Sequence, residues 1–172
     1  MMDVEIRQAS ADDLELLMQW RMEVLREVFS IPPDQTMTKL EAENRHYYRE
    51  TLANGGHIAC FALLHGEIIG CGGMCLYQEM PSPDNLNGKC AYLMNIYTKP
   101  AFRSHGVGKR VVCWLIRQAK EKSVTKIYLE ASEAGRPLYR EMGFADMTGY
   151  MKWKEDETDP ALCKAYQAGK NL

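Results

Sequence analysis

Apolar and polar residues alternate along this chain with two different periods, and the changes of period mark its elements. Val4-Glu5-Ile6-Arg7 alternates with the two-residue period of a half-buried strand. Ser10 followed three residues later by Asp13 resembles a capping box. From there Leu14, Leu17, Met18, Arg21, Leu25 and Val28 keep helical spacing, which predicts a first helix to about Phe29, broken by Pro32-Pro33. A second helix is predicted from Thr38 to Ala53, closed by Gly55-Gly56, and its many Glu, Arg, His and Tyr residues make it partly exposed. Two strand-like runs, Ile58 to Leu64 and Ile68 to Leu76, meet at His65-Gly66 as a tight hairpin.

The stretch from Met80 to Gly88 carries Pro81, Pro83, Asp84, Asn85 and Gly88 and reads as a loop. A fourth strand follows from Ala91 to Thr98. A helix from Val107 to Lys122 has Val111, Val112, Leu115, Ile116 and Ala119 as its buried stripe. Ile127 to Ala131 reads as a fifth strand and Pro137 to Met142 as a short helix; Phe144 to Met147 and Tyr150 to Trp153 read as a last pair of strands. The order βααβββαβαββ predicts a mixed α/β fold whose helices cover a central sheet.

Composition narrows the class. A chain of 172 residues lies within the one-domain range, and with no repeat or linker it is expected to be a single domain over 1–172. Hydrophobic residues make up 46% and charged residues 26%, values that exclude a disordered chain. The net charge of −2 argues against binding nucleic acid through overall charge, so any anion site must be local. No apolar run reaches about 18 residues, so no membrane span is expected, and the first residues lack the basic and apolar regions of a signal peptide. Cys60, Cys71, Cys75, Cys90 and Cys113 lie in apolar patterns without CxxC or Cys/His metal spacing. They read as small buried hydrophobes in a reducing compartment, which implies a cytoplasmic protein without a bound metal. A homodimer is an expected assembly. The charged tail from Glu155, with Cys163, carries no legible chemistry.

The densest chemical signal is Arg103-Ser104-His105-Gly106-Val107-Gly108-Lys109, which follows the fourth strand and opens the following helix. Strand, glycine turn and helix start together suit a phosphorylated ligand. Glycine lets a backbone come close, and the first helical amides lack intrahelical partners and favour an anion. Lys99, Arg103, His105, Lys109 and Arg110 form a local cationic cluster at a helix start, where cations oppose the helix dipole. Other phosphate motifs fail on spacing. A dinucleotide fingerprint needs glycine where Val111 stands, and a P-loop needs glycine where Arg103 stands and Ser or Thr where Arg110 stands. An ordinary helix-initiating turn remains the alternative for the segment alone.

A second stretch, Leu138-Tyr139-Arg140-Glu141-Met142-Gly143-Phe144, makes the pattern specific. Arg103, Gly106 and Gly108, with Pro100 just before, resemble the acetyl-CoA loop of the GNAT superfamily of N-acetyltransferases, and Leu138, Tyr139, Gly143 and Phe144 resemble its later element. The similarity is strongest from Ala91 to Phe144. It departs at Ser132, where the family often has Asn seven residues before the tyrosine.

The resemblance implies a GNAT-like, mostly antiparallel sheet flanked by helices, acetyl-CoA as co-substrate, and acetyl transfer to a primary amine by direct attack in a ternary complex. It implies a cofactor track of Ile96, Tyr97, Thr98, Arg103, Ser104, His105, Gly106, Val107, Gly108, Lys109 and Ser132. Fourth and fifth strands splay apart in this family, so pantetheine would pair with backbone near Ile96 and Thr98. Tyr139 is implied as the general acid for the departing thiolate. Glu79, Glu130, Glu133 and water are the candidate bases, and Asn95 and Tyr97 could line an acceptor pocket. The acceptor itself, a small-molecule or peptide amine, is not legible, and a silent CoA-binding module is the alternative function.

Overall fold

The computed structural model describes residues 3–152. Five strands lie in sequence order in one sheet: β1 (Val4–Gln8), β2 (His57–Leu64), β3 (Glu67–Gln78), β4 (Lys89–Thr98) and β5 (Lys126–Leu129). The first three pairings are antiparallel and β4–β5 is parallel. The helices are α1 (Leu14–Val28), α2 (Thr38–Asn54), α3 (Val107–Glu121) and α4 (Arg136–Glu141).

Local signals set these boundaries. Ser10 and Asp13 form the capping box in full and start a 3-10 turn that runs into α1. Gly55 ends α2 in the left-handed conformation. His65 and Gly66, both at positive φ, make the two-residue turn of the β2–β3 hairpin.

Strand alternation sends side chains to two separate cores. On one face Cys60, Met74, Ala91 and Leu93 pack against Val107, Val111, Val112 and Leu115 of α3, with Leu76, Ile127 and Leu129 beside them. On the other face Ala59, Phe61, Cys71 and Tyr97 pack against Leu17, Met18, Trp20 and Val24 of α1 and Tyr48 of α2. Helix α3 approaches closely because Gly72 bears no side chain; a Cβ there would collide with Val111. Cys113 falls off the buried stripe of α3 and is exposed, contrary to its expected burial. Residues 144–152 carry no strand: Arg136 and Arg140 tie Asp146 back to α4, Gly149 adopts positive φ, and Trp153 lies outside the described residues. The tail from Glu155, with Cys163, also lies outside them.

Under α2 a histidine is buried at the start of β2. The ring of His57 is 4% exposed, shares a hydrogen bond of 3.0 Å between Nδ1 and the Tyr47 hydroxyl, and has no partner for Nε2 among the described residues. It fits because Gly73 faces it; a Cβ there would stand 2.7 Å from Nε2. Burial, aided by the charge of Arg21, depresses its pKa from 6.5 to about 4. The neutral ring is thus favoured in the folded state. Its contribution is fully present above the unfolded pKa of 6.5 and is lost as pH falls toward about 4. Stability of the wild type should drop over that window by on the order of 3 kcal/mol. His57→Gln should flatten that part of a urea-denaturation pH profile; an unchanged profile would show that His57 does not titrate as described.

Candidate active site

Strands β4 and β5 are hydrogen-bonded neighbours over four rungs only, from Cys90↔Lys126 to Leu93↔Leu129. Past Leu93 they part. The cause is local: the β3–β4 register shifts between Cys71 and Gly73, and Asn95 sits at φ 57°, a left-handed conformation that asparagine tolerates better than most residues. Arg21 of α1 holds this bulge. Its Nη1 donates to Asn95 Oδ1 at 3.0 Å and its Nε donates to Asn44 Oδ1 of α2 at 2.9 Å. Lys99 N–H donates to Ile69 O on the β3 side. By alternation the backbone groups of Tyr97 also face β3, whereas those of Ile96 and Thr98 face the gap left by β5.

Beyond Thr98 the chain makes a 3-10 turn at Pro100–Phe102 and a loop with Ser104 at φ 63° and Gly106 at φ 80°. Arg110 is the first amide of the following helix with a backbone acceptor, Gly106 O at 3.1 Å. The amides of Ser104 through Lys109 meet no acceptor among the described residues. A row of unpaired donors at a helix start suits an anion. Among the described residues nothing stands within 4 Å of where a Gly106 side chain would project.

Both features open onto one cleft of about 530 Å³. It takes in Ile96, Tyr97 and Thr98 from β4, Arg103, Ser104, Gly106, Val107, Gly108 and Lys109 from the turn, and Ser132, Leu138 and Tyr139 from the opposite wall. His105 lines a neighbouring groove along β1 and α3 instead, with its Nδ1 against Arg103 O at 2.7 Å.

The cationic cluster is not a bare rim. Arg103 is ion-paired with Glu27, which also accepts from the Tyr97 hydroxyl at 2.6 Å. Lys109 pairs with Glu141, and Lys99 with Glu67 at 3.0 Å. Arg110 donates to Val4 O at 3.0 Å. Hydrogen bonds from Tyr97 and Arg103 hold the Glu27 carboxyl below its usual range. An arriving polyanion would therefore compete with carboxylates for Arg103, Lys109 and Lys99, while the loop amides have no competitor among the described residues.

Tyr139 projects from α4 between this cleft and a second hollow along β5. Its ring packs edge-on against Phe144 at 5.8 Å, and burial raises its pKa, so the phenol keeps its proton at neutral pH. Its hydroxyl has no hydrogen-bond partner among the described residues. Ser132, where the resemblance suggests Asn, accepts from Gly135 N–H through Oγ at 3.2 Å and so helps to start α4.

The carboxylates separate by environment. Glu79 grips Lys126 at 2.8 and 3.0 Å and accepts from the Tyr77 hydroxyl, contacts that hold its pKa down. Glu130 and Glu133 are exposed past β5. Asn95 and Tyr97, expected at an acceptor pocket, spend their polar groups on Arg21 and Glu27. Sequence reasoning missed Arg21, Asn44 and Glu27 as parts of this region. The one signal was an arginine set in the apolar stripe of the first helix.

Comparisons with known proteins agree with this geometry. A predicted acetyltransferase from Clostridium acetobutylicum, solved with acetyl-CoA, is 28% identical over 88% of this chain and 96% of its own, with a TM-score of 0.79. A GCN5-related N-acetyltransferase from Ralstonia eutropha is 26% identical over 88% of this chain and 98% of its own, with a TM-score of 0.75. Glucosamine-6-phosphate N-acetyltransferase from Arabidopsis thaliana shares the fold at 19% identity, over 89% of this chain and 99% of its own, with a TM-score of 0.66. The family model described as acetyltransferase (GNAT) family matches residues 14–144. With that match over most of its length, the chain belongs to the acetyltransferase (GNAT) family.

Proposed function

We propose that the protein transfers an acetyl group from acetyl-CoA to a primary amine, both substrates being bound together. The observation that carries this is the coincidence, in one cleft, of the unpaired amides Ser104–Lys109, the gap-facing backbone of Ile96 and Thr98, and the protonated Tyr139.

The residues fit the donor in three places. The loop amides and the nearby Arg103 and Lys109 would hold the pyrophosphate of CoA. Ile96 and the Thr98 N–H would pair with the amides of the pantetheine arm in place of β5, while the Thr98 carbonyl already accepts from Arg103 Nε at 3.0 Å. The gap-facing amide of Ile96 is also the donor nearest the bulge and would take charge developing on the thioester oxygen.

The amine attacks the thioester carbon, a C–N bond forms, the C–S bond breaks, and the sulfur needs a proton. Tyr139 is the donor: its phenol is protonated, half-buried and lines the cleft. Glu79 is withdrawn from the role of base by Lys126, and the amine proton leaves to solvent water reaching the cleft. No covalent enzyme intermediate is needed, because holding both substrates in one cleft supplies much of the acceleration.

Two outcomes test this. Tyr139→Phe removes one oxygen and keeps the ring against Phe144, so stability should barely change. Its kcat should fall by roughly 10²-fold with acetyl-CoA affinity nearly unchanged; lost affinity at constant kcat would make the phenol a gripping group only. Gly106→Val puts a β-branched residue at φ 80° in the middle of the amide row. Calorimetry should show acetyl-CoA affinity reduced by well over about ten-fold while the circular dichroism stays that of the wild type. Normal binding by the folded variant would move the anion site elsewhere.

A further inference from the structure

Tyr77, Tyr92 and Tyr128 share the sheet face opposite α3. Their neighbours Leu76, Ala91, Leu93, Ile127 and Leu129 all point into the α3 core, so alternation turns the tyrosines the other way. Helices α1 and α2 cover this face over β2 and the far end of β4, and leave the tyrosines partly exposed.

The rings touch in series. Tyr92 and Tyr128 lie 5.1 Å apart by centroid, Tyr77 and Tyr128 6.4 Å apart with their hydroxyls at 2.8 Å, and Tyr128 and Tyr150 6.5 Å apart. Tyr92 and Tyr128 are register partners on the rung immediately before Leu93↔Leu129, where β4 and β5 part. The tyrosine surface therefore ends at the mouth of the gap in which the thioester would lie.

Its chemistry favours an ammonium ion. One is already there: Lys126 Nζ sits 5.9 Å from the Tyr128 centroid and 5.3 Å from that of Tyr150, with Glu79 as counter-ion. That side chain is an alkylammonium resting on the surface. At the end of the surface nearer the gap, Tyr92 has no cation over its ring among the described residues. Glu130 follows directly on the end of β5, and its charge acts on the Tyr92 phenol. It has no ion-pair partner among the described residues. The charge of Lys126 acts on Glu79 and Asp84 at one end of the surface, and Glu130 stands at the other.

We propose that the acceptor is an aliphatic polyamine, with one ammonium held on Tyr92 and Tyr128 beside Glu130 while a second, deprotonated amine reaches the thioester in the gap. A single amine cannot do both, because the cation-binding surface favours the charged form and attack needs the neutral one. From Tyr92 to Ile96 the strand advances roughly 13 Å, a distance that suits an extended chain bearing several amines rather than a compact one. The proposal rests on the acetyl transfer set out above and assigns its substrate class.

The test uses the full chain with acetyl-CoA, measuring release of the CoA thiol with spermidine, putrescine, n-butylamine and phenethylamine. Spermidine, long enough to reach from the tyrosines toward the gap, should be acetylated with KM roughly ten-fold or more below those of n-butylamine and of the shorter putrescine. Glu130→Gln and Tyr92→Leu should each raise the spermidine KM by roughly ten-fold with little change in kcat, while the n-butylamine KM and acetyl-CoA affinity stay at wild-type values. Glu130→Gln alters an exposed carboxylate, so it reports even if Tyr92→Leu folds poorly. Calorimetry of spermidine against wild type and Glu130→Gln gives the same comparison without turnover. Equal KM values for spermidine and n-butylamine, preference for phenethylamine, or insensitivity to Glu130→Gln would overturn the proposal. Failure to bind acetyl-CoA at all would instead overturn the acetyl-transfer proposal beneath it.

Discussion

The contact between Arg21 and Asn95 governs the rest of the arrangement. A five-stranded sheet gains by continuing its pairing to the end of every strand. Here pairing between β4 and β5 stops after Leu93↔Leu129 because Asn95 is held in a left-handed bulge. A bulge of this kind is stable only when something outside the strand fixes it. Arg21 does so from α1, and the same guanidinium reaches Asn44 on α2, so both helices of that face are tied to the parting of the strands. The backbone groups that β5 gives up at Ile96 and Thr98 become the groups that a ligand can use.

The electrostatics of the cleft follow a related logic. In a chain of net charge −2, three cations around this helix start are paired with carboxylates. Glu27, Glu141 and Glu67 serve Arg103, Lys109 and Lys99. Such exposed pairs are weak, of the order of 1 kcal/mol or less, so they hold the side chains near the cleft without locking them. The backbone amides of Ser104–Lys109 carry no such compensation among the described residues, which makes them the less replaceable part of the proposed anion site.

Most of the fold was legible because its signals are local. The capping box at Ser10, the glycine after α2, the two-residue turn at His65-Gly66 and the stripe of α3 each fixed an element within a residue or two. The glycine turn and Tyr139 were legible for the same reason, as short motifs of definite spacing. The parts that escaped are long-range. Nothing near Asn95 in sequence announces Arg21, which lies 74 positions away. Nothing announces that His105 turns toward β1 and out of the cleft, or that Cys113 faces solvent one residue past a buried valine. The expected strands after Phe144 compete with ion pairs from α4 to Asp146, which strand propensity alone does not register.

Amide hydrogen exchange with and without acetyl-CoA tests the central claim most directly, because the account assigns binding to named backbone groups. Saturating acetyl-CoA should slow exchange at Ser104 through Lys109 and at Ile96 and Thr98, and leave the β1–β2 pairing at its unliganded rates. Tight binding with unchanged exchange at those amides, or with protection confined to another surface, would contradict the account.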